Sequence, residues 1–265
     1  MKLSIQHETI YTYDAPVRSS TQYLRLTPRD TLRHKVLQWE LDTPRAATQT
    51  HDGYGNTLHV LTLDKAVREI RIRAHGVVEA VELAGEQGGA ALGELSPLVF
   101  LRPTAITRAD ASLTAFAGPF RRQGAVLTGL RELAVAITKR MPASDEATEP
   151  PTAADAFAAC KGSARDHVHV FIACCRHLGV PARYVSGYVL THGKGEPSIA
   201  GHAWAEAWIV DRWRSFDLGN SRSTGAEHIE IAIGADYFDA CPIRGVRTGG
   251  GLETMQARAK VTVTK

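Results

Sequence analysis

The chain has 265 residues, of which 44% are hydrophobic and 22% charged, so it can bury a core in one large domain or two modest ones. Its 31 Lys+Arg and 28 Asp+Glu leave a formal net charge of +3 with no basic run, which argues against a nucleic-acid-binding surface. No segment has the apolar length of a signal peptide core or of a membrane span. We therefore expect a cytoplasmic globular protein without a membrane segment.

The cysteine pattern agrees with a reducing compartment. The four cysteines lack both the C-x-x-C spacing and the paired arrangement of a secreted disulfide scaffold. Reduced thiols are expected at Cys160, Cys174, Cys175 and Cys241.

Residues 1–82 show the period-two alternation of half-buried antiparallel strands. Leu3, Ile5 and His7 fall on one face of the first strand, and turn residues at 28–30 and 52–56 interrupt the runs. We predict an N-terminal antiparallel β domain here, either a sandwich or a barrel-like sheet.

Residues 83–105 are rich in Gly, Ala and single prolines and have little periodicity, which predicts a linker. Beyond them the apolar period becomes that of a helix. One helical face is formed by Leu127, Leu130, Leu133, Ala134, Ile137 and Met141.

A second, more central helix is predicted over 164–178. Ser163 stands where an N-cap is expected, and Gly179 and Pro181 end the helix in the usual order. Its buried stripe is predicted to contain Val168, Phe171, Ile172, Cys175 and Leu178.

Two strands are predicted after this helix, at 202–209 and 213–217. His202 and Glu206 share a face of the first strand with Trp204, and parity allows this face to meet Asp217 on the second. A two-residue turn at 211–212 would set Glu206 opposite Asp217, so pairing of His202 with Asp217 needs a bulge or a different turn.

These segments resemble the bacterial transglutaminase-like family, in which an N-terminal β region precedes a papain-like catalytic core. The resemblance rests on residues 166–188, 202–209, 213–217 and 228–251. It implies an α+β fold: a β domain over 1–82, a linker over 83–105, and a core over 106–265 with helices packed on an antiparallel sheet. It implies no cofactor.

The family's active-site helix opens with Gly-x-Cys-x-Asp, whereas this sequence reads Gly162-Ser163-Ala164-Arg165-Asp166. The resemblance therefore puts Ala164 at the position of the nucleophile, His202 at the base and Asp217 at the residue that orients it. A thiol at a helix N-terminus beside an imidazole loses its proton readily. A methyl group at Ala164 has neither a proton nor a lone pair to offer.

The other candidate nucleophiles fit this position poorly. Cys160 precedes the helix, and Cys174 and Cys175 lie about 15 Å along it. We interpret these cysteines as small buried hydrophobic residues. Ser163 carries a hydroxyl, but as an N-cap its oxygen is expected to bond the helix backbone.

Asp166, His167 and His169 invite a zinc interpretation. Two helical residues two positions apart point about 200° apart, so the two histidines cannot share one ion. We predict no metal site, and we expect Asp166 to pair with His169 one turn along the helix.

The resemblance implies thiol-based acyl transfer on amide bonds of peptides or proteins, by a transglutaminase or by a protease or amidase. Because Ala164 replaces the nucleophile, two interpretations stay open. One is an enzyme whose cysteine was replaced by alanine on purpose, and the other is a natural pseudoenzyme that binds peptide or protein in the cleft. A third, structural interpretation assigns the biological role to partner binding by the β domain.

Overall fold

A computed structural model describes residues 1–81, 95–144, 151–190, 201–219 and 225–264. The strands in these ranges are β1 (Lys2–Leu24), β2 (His34–Asp42), β3 (Thr48–His51), β4 (Thr57–Leu63), β5 (Val67–Ala80), β6 (Ala182–Val189), β7 (His202–Ile209), β8 (Arg212–Phe216), β9 (His228–Gly234), β10 (Ile243–Gly249) and β11 (Glu253–Thr264). The α-helices are α1 (Ala111–Ala117), α2 (Val126–Arg140), α3 (Ala153–Ala159), α4 (Ala164–His177) and α5 (Tyr237–Ala240). The predicted α+β class is confirmed.

The long strand β1 is the centre of a seven-stranded antiparallel sheet with the order β2-β5-β1-β4-β3, to which β10 and β11 are added along β1. Residues 2–12 of β1 pair with β5 and also with β11, so these two strands flank it. Its alternation agrees with the sequence: Leu3 and Ile5 are fully buried, and His7 is 5% exposed.

The last two strands of the chain run end to end along β1. Gly249, Gly250 and Gly251 have φ angles of 83°, 93° and 60° and connect β10 to β11 beside Asp14, whose carboxylate would collide with a Cβ at Gly251. Residues 106–265 were expected to form the core, but 243–264 pair with the first sheet. Local periodicity identifies a strand and not its partner, which here lies at the opposite end of the chain.

The structure describes only part of the predicted linker, because residues 83–94 lie outside the described residues. Its remainder contains a 3-10 helix, Pro97–Leu101. Phe100 in this helix is 1% exposed and contacts Trp213 edge to face, with ring centroids 5.4 Å apart. This part of the segment is therefore packed against the core.

The second sheet is antiparallel and has the order β8-β7-β6-β9, with α4 packed across β6 and β7. The predicted apolar stripe of α4 is confirmed, since its five members are between 0% and 8% exposed. Phe171 on this stripe contacts Phe216 with ring centroids 4.8 Å apart. The helices α1, α2 and α3 cover the other side of α4 and enclose it.

Polar contacts join the first sheet to the second. The Asn56 side chain accepts a hydrogen bond from the Ile233 N–H at 2.8 Å and donates one to the Ile233 carbonyl at 2.7 Å. Tyr54 donates to the Asp239 carboxylate at 2.6 Å. The loop before β4 is thereby fixed to the end of β9 and to α5.

Candidate active site

The N-terminus of α4 begins with a capping box. The Ser163 hydroxyl oxygen accepts from the Asp166 N–H, and the Asp166 Oδ2 accepts from both the Ser163 N–H and its hydroxyl at 2.8 Å. The prediction that Ser163 is the N-cap is therefore confirmed, and its hydroxyl is hydrogen-bonded to Asp166. Ala164 is the first residue of the helix.

The hairpin between β7 and β8 turns at Val210 and Asp211, so that Ile209 pairs with Arg212. This turn lies one residue earlier than the one that would have set Glu206 opposite Asp217. Glu206 instead pairs with Ser215. Asp217 lies two residues beyond Ser215 in the chain, and its side chain consequently reaches the diagonally placed His202.

His202 and Asp217 form the expected hydrogen bond, in which Asp217 Oδ2 accepts from His202 Nε2 at 2.8 Å. The Asp217 side chain is fully buried, and that of His202 is 15% exposed. Because an ionised carboxylate only accepts, the bond places a proton on His202 Nε2.

Ala164 lies beside this pair. A Cβ added to Gly219 would be 3.3 Å from Ala164 Cβ, 3.5 Å from Asp217 Oδ1 and 3.5 Å from His202 Cε1. The three site residues predicted from the sequence therefore surround one small space. It stays open because glycine at position 219 has no Cβ to fill it.

His228, at the start of β9, was not identified from the sequence. Asp217 Oδ2 accepts from His228 Nε2 at 2.9 Å, and His228 Nδ1 accepts from the Gly225 N–H at 3.3 Å. With Nδ1 as an acceptor, the ring is neutral and carries its proton on Nε2. A histidine at a strand start carries no spacing signal that points to Asp217.

Trp204 packs against the same cluster and is 2% exposed. Its ring meets His228 edge to face, with centroids 5.4 Å apart, and lies 6.2 Å from His202. Gly187 on β6 makes room for the indole, because a Cβ there would lie 2.5 Å from the Trp204 ring and 2.2 Å from the Ile229 carbonyl oxygen.

The ligand atoms of His202, Asp217 and His228 all lie within 4.8 Å of one another, a set that zinc accepts chemically. Both imidazoles, however, direct Nε2 to the same Asp217 oxygen. A metal on His228 Nε2 would also move that ring's proton to Nδ1, which faces the Gly225 N–H. The geometry fits a hydrogen-bonded cluster better than a ligand set.

The expected pair between Asp166 and His169 is wrong. Asp166 is held by Ser163 in the capping box, and His169 Nε2 accepts from the Tyr237 N–H at 3.1 Å. The neighbouring His167 hydrogen-bonds the Met141 carbonyl at 2.7 Å. As expected from helix geometry, the two histidines contact different parts of the protein.

The cysteines differ in accessibility. Cys174 and Cys175 are fully buried, and burial raises the pKa of the Cys174 thiol to about 12 and that of Cys175 well above its ordinary value. Cys160 is exposed at the end of α3, so its interpretation as a buried residue is wrong. It caps that helix in the left-handed region, with φ at 53°.

A depression of about 550 Å³ lies on the first sheet, lined among others by Glu8, Arg73 and Lys260. Its lining residues include none of the His202 cluster. The depression is lined by exposed charged groups such as the Arg73–Glu8 ion pair, at 2.6 Å. The functional role is instead assigned to the His202 cluster, where a buried carboxylate holds two imidazoles beside a helix N-terminus.

The comparisons with known proteins agree with this architecture. Residues 3–79 match the bacterial transglutaminase-like N-terminal region, and residues 114–218 match the core of the transglutaminase-like superfamily. The chain belongs to this superfamily. The second match includes Ala164, His202 and Asp217 within its bounds.

Relatives of the transglutaminase-like chain match along most of its length. A Mycobacterium leprae protein of uncharacterised function is 26% identical and covers 98% of both chains. A Mycobacterium bovis protein, also uncharacterised, is 28% identical over 91% of this chain and 86% of its own. The crystal structure of a candidate cysteine protease from Cytophaga hutchinsonii superimposes with a TM-score of 0.78 at 20% identity, covering 100% of this chain and 92% of the other. That structure shares the fold.

Among the described residues, no helix has both the length and the apolar character needed to cross a membrane.

Proposed function

We propose that this chain is a transglutaminase-like cysteine acyltransferase, or a protease or amidase, that acts on amide bonds of peptides or proteins and is inactive as written because Ala164 occupies the nucleophile position. The observation that carries the proposal is the hydrogen bond from His202 to the buried Asp217 beside the N-terminus of α4. A base, its orienting carboxylate and a helix N-terminus are the surroundings that activate a cysteine.

With cysteine at position 164, the reaction would proceed in two stages. The thiol gives its proton to His202, and the thiolate attacks the amide carbonyl; the C–N bond then breaks as His202 returns the proton to the leaving amine. Next, an amine or water loses a proton to His202, attacks the thioester and releases the thiol. Because Nε2 donates to Asp217, Nδ1 is the nitrogen that exchanges these protons.

The partner in this proposal is a peptide or protein that supplies the amide. The proposal keeps the cytoplasmic location expected from the sequence, which the four free cysteines support.

The pseudoenzyme alternative has its own supporting observation. Asp217, His202 and His228 satisfy one another's hydrogen bonds in a chain without the thiol. Because these hydrogen bonds do not require the thiol, the cleft can bind peptide without turning it over.

The test is Ala164→Cys. We expect iodoacetamide to alkylate the new thiol at near-neutral pH faster than the exposed Cys160, because the helix dipole and His202 lower the pKa of the introduced thiol. Mass spectrometry of peptides gives the rate at each cysteine, and the buried Cys174 and Cys175 should react slowest. Acyl transfer from a glutamine or peptide amide is assayed alongside.

A second variant, Ala164→Cys with His202→Ala, serves as the control and should label no faster than Cys160. Fast labelling with turnover supports the enzyme, and fast labelling with peptide binding but no turnover favours the pseudoenzyme. Labelling of position 164 as slow as that of Cys174 would contradict the active-site assignment.

A further inference from the structure

One oxygen of Asp217 accepts two imidazole N–H groups. The Nε2 atoms of His202 and His228 lie 2.8 Å and 2.9 Å from Asp217 Oδ2. The side chains of Asp217 and His228 are 0% and 6% exposed. In such a low-dielectric environment, each donor to a carboxylate strongly restrains its orientation.

The His228 ring is itself held on two sides. The Gly225 N–H points to Nδ1, which fixes the Nε2–H tautomer, and the edge-to-face contact with Trp204 restrains the ring plane. His228 therefore donates as a neutral imidazole. A neutral donor restrains the carboxylate without adding a positive charge that would repel an imidazolium at His202.

We propose that His228 is a positioning residue, which acts through Asp217 to hold His202 in the tautomer and orientation that the acyl-transfer chemistry needs. This inference rests on the proposed function. His228 has its contact with the carboxylate and not with Ala164, so it is not assigned a role at the reacting atoms. The competing interpretation is that His202, Asp217 and His228 bind a divalent cation.

The kinetic test uses two substitutions in the Ala164→Cys background. His228→Gln would place an amide N–H donor near the position of the imidazole Nε2, whereas His228→Leu removes the donor at similar volume. We expect His228→Leu to lower the alkylation rate at position 164, and kcat where turnover exists, by about 10- to 100-fold, with little change in KM. His228→Gln should keep most of the parental alkylation rate and kcat.

His7→Leu is the matched control, because His7 is also buried but its ring hydrogen-bonds the Tyr188 hydroxyl at 2.9 Å and not Asp217. It should lower the thermal midpoint without changing the rate at position 164. A folded His228→Leu variant with the parental rate overturns the inference, as does an equal loss in the Leu and Gln variants.

A second measurement uses the protein with Ala164 unchanged and needs no activity. Nitrogen-15 NMR of histidine-labelled protein should show the Nε2–H tautomer at both His202 and His228, and His228→Leu should abolish the fixed tautomer of His202. If Ala164→Cys is inert while these signals are as expected, the proposed function fails and the positioning role stands. An unchanged His202 in His228→Leu overturns the inference, as does saturable Co²⁺ binding through the Nε2 atoms.

Discussion

Arg183 and Glu206 form an ion pair within the second sheet, with Nη2 and Oε2 2.7 Å apart and both side chains 1% exposed. Glu206 also accepts from the Ser215 hydroxyl at 3.1 Å, and the Arg183 guanidinium lies 4.1 Å above the centre of the Trp213 ring. Burying two charges costs desolvation free energy, and the contacts between the two side chains offset that cost. Each charge is therefore compatible with the folded state only while its partner is present.

Arg183→Met leaves Glu206 buried without its cation, so we expect a loss of about 3 to 5 kcal/mol in the free energy of unfolding. The double variant Arg183→Met with Glu206→Leu removes both charges and should recover most of the loss. Urea unfolding measures both. A double variant that is less stable than Arg183→Met would contradict this account.

At the residue scale, the sequence predicts contacts that strand parity or helix spacing encodes. Parity puts His202 and Asp217 on compatible faces, and the observed turn brings them together. His228 was missed because β9 joins the sheet beside β6, a placement that depends on tertiary structure. The pairing of Asp166 with His169 failed because Ser163 offers Asp166 a closer partner at the helix start.

At the element scale, α4 is held at both ends and along most of its surface. Its start is fixed by the capping box and its end by Gly179, whose φ is 81°. The helix is buried on several faces, because sheet strands cover one side and three helices cover the other. The apolar period predicted one buried stripe, whereas burial of the polar His167, His169 and Arg176 comes from their specific partners.

Phe171→Ala should cost about 3 to 5 kcal/mol of unfolding free energy, because the ring is fully buried against Phe216 and its loss leaves a cavity. Val135→Ala on α2 is the control, since Val135 is 65% exposed and should change stability by less than about 0.5 kcal/mol. Denaturant unfolding of both variants checks this. Equal stabilities would show that α4 is not central to the core.

The bulge where β6 meets β9 supports a second prediction at this scale. Gly187→Ala should destabilise the protein by roughly 1 to 3 kcal/mol, because its Cβ would collide with the Ile229 carbonyl and the Trp204 ring. At Gly118 a Cβ would meet nothing within 4 Å, so Gly118→Ala is the matched control. Thermal midpoints that fall equally in the two variants would contradict the steric account.

At the scale of the whole molecule, buried neutral histidines occur in the first sheet and on α4. Burial lowers the pKa of His7 to about 4 and that of His34 to about 4. The pKa of His169 is lowered to about 3, first by burial and then by the nearby Arg165 and Arg176. Each of these groups binds its proton far more readily in the unfolded chain, where the pKa is 6.5.

These shifts make acid destabilising. Above pH 6.5 the histidines are largely neutral in both states; as the pH falls from about 6.5 toward 4, only the unfolded chain takes up protons. The unfolding free energy should therefore fall between pH 7.5 and pH 5, by about 1 to 2 kcal/mol per histidine. Urea unfolding at the two pH values measures it.

His7→Gln should make the fall in unfolding free energy between pH 7.5 and pH 5 smaller by about 1 to 2 kcal/mol, the contribution of one histidine. His51→Gln, at an exposed position, is the control and should leave the fall unchanged. A fall of the same size in His7→Gln as in the parent would contradict the assignment.

The pairing of β1 with β11 sets the order in which the protein can be completed on the ribosome. Lys2 lies opposite Thr264, so β1 is synthesised long before β11, the strand that pairs with one of its edges. At ordinary elongation rates the gap is on the order of ten to fifty seconds. Until then this edge of β1 is unpaired and open to pairing with other chains, so we expect the first sheet to be completed only late in synthesis.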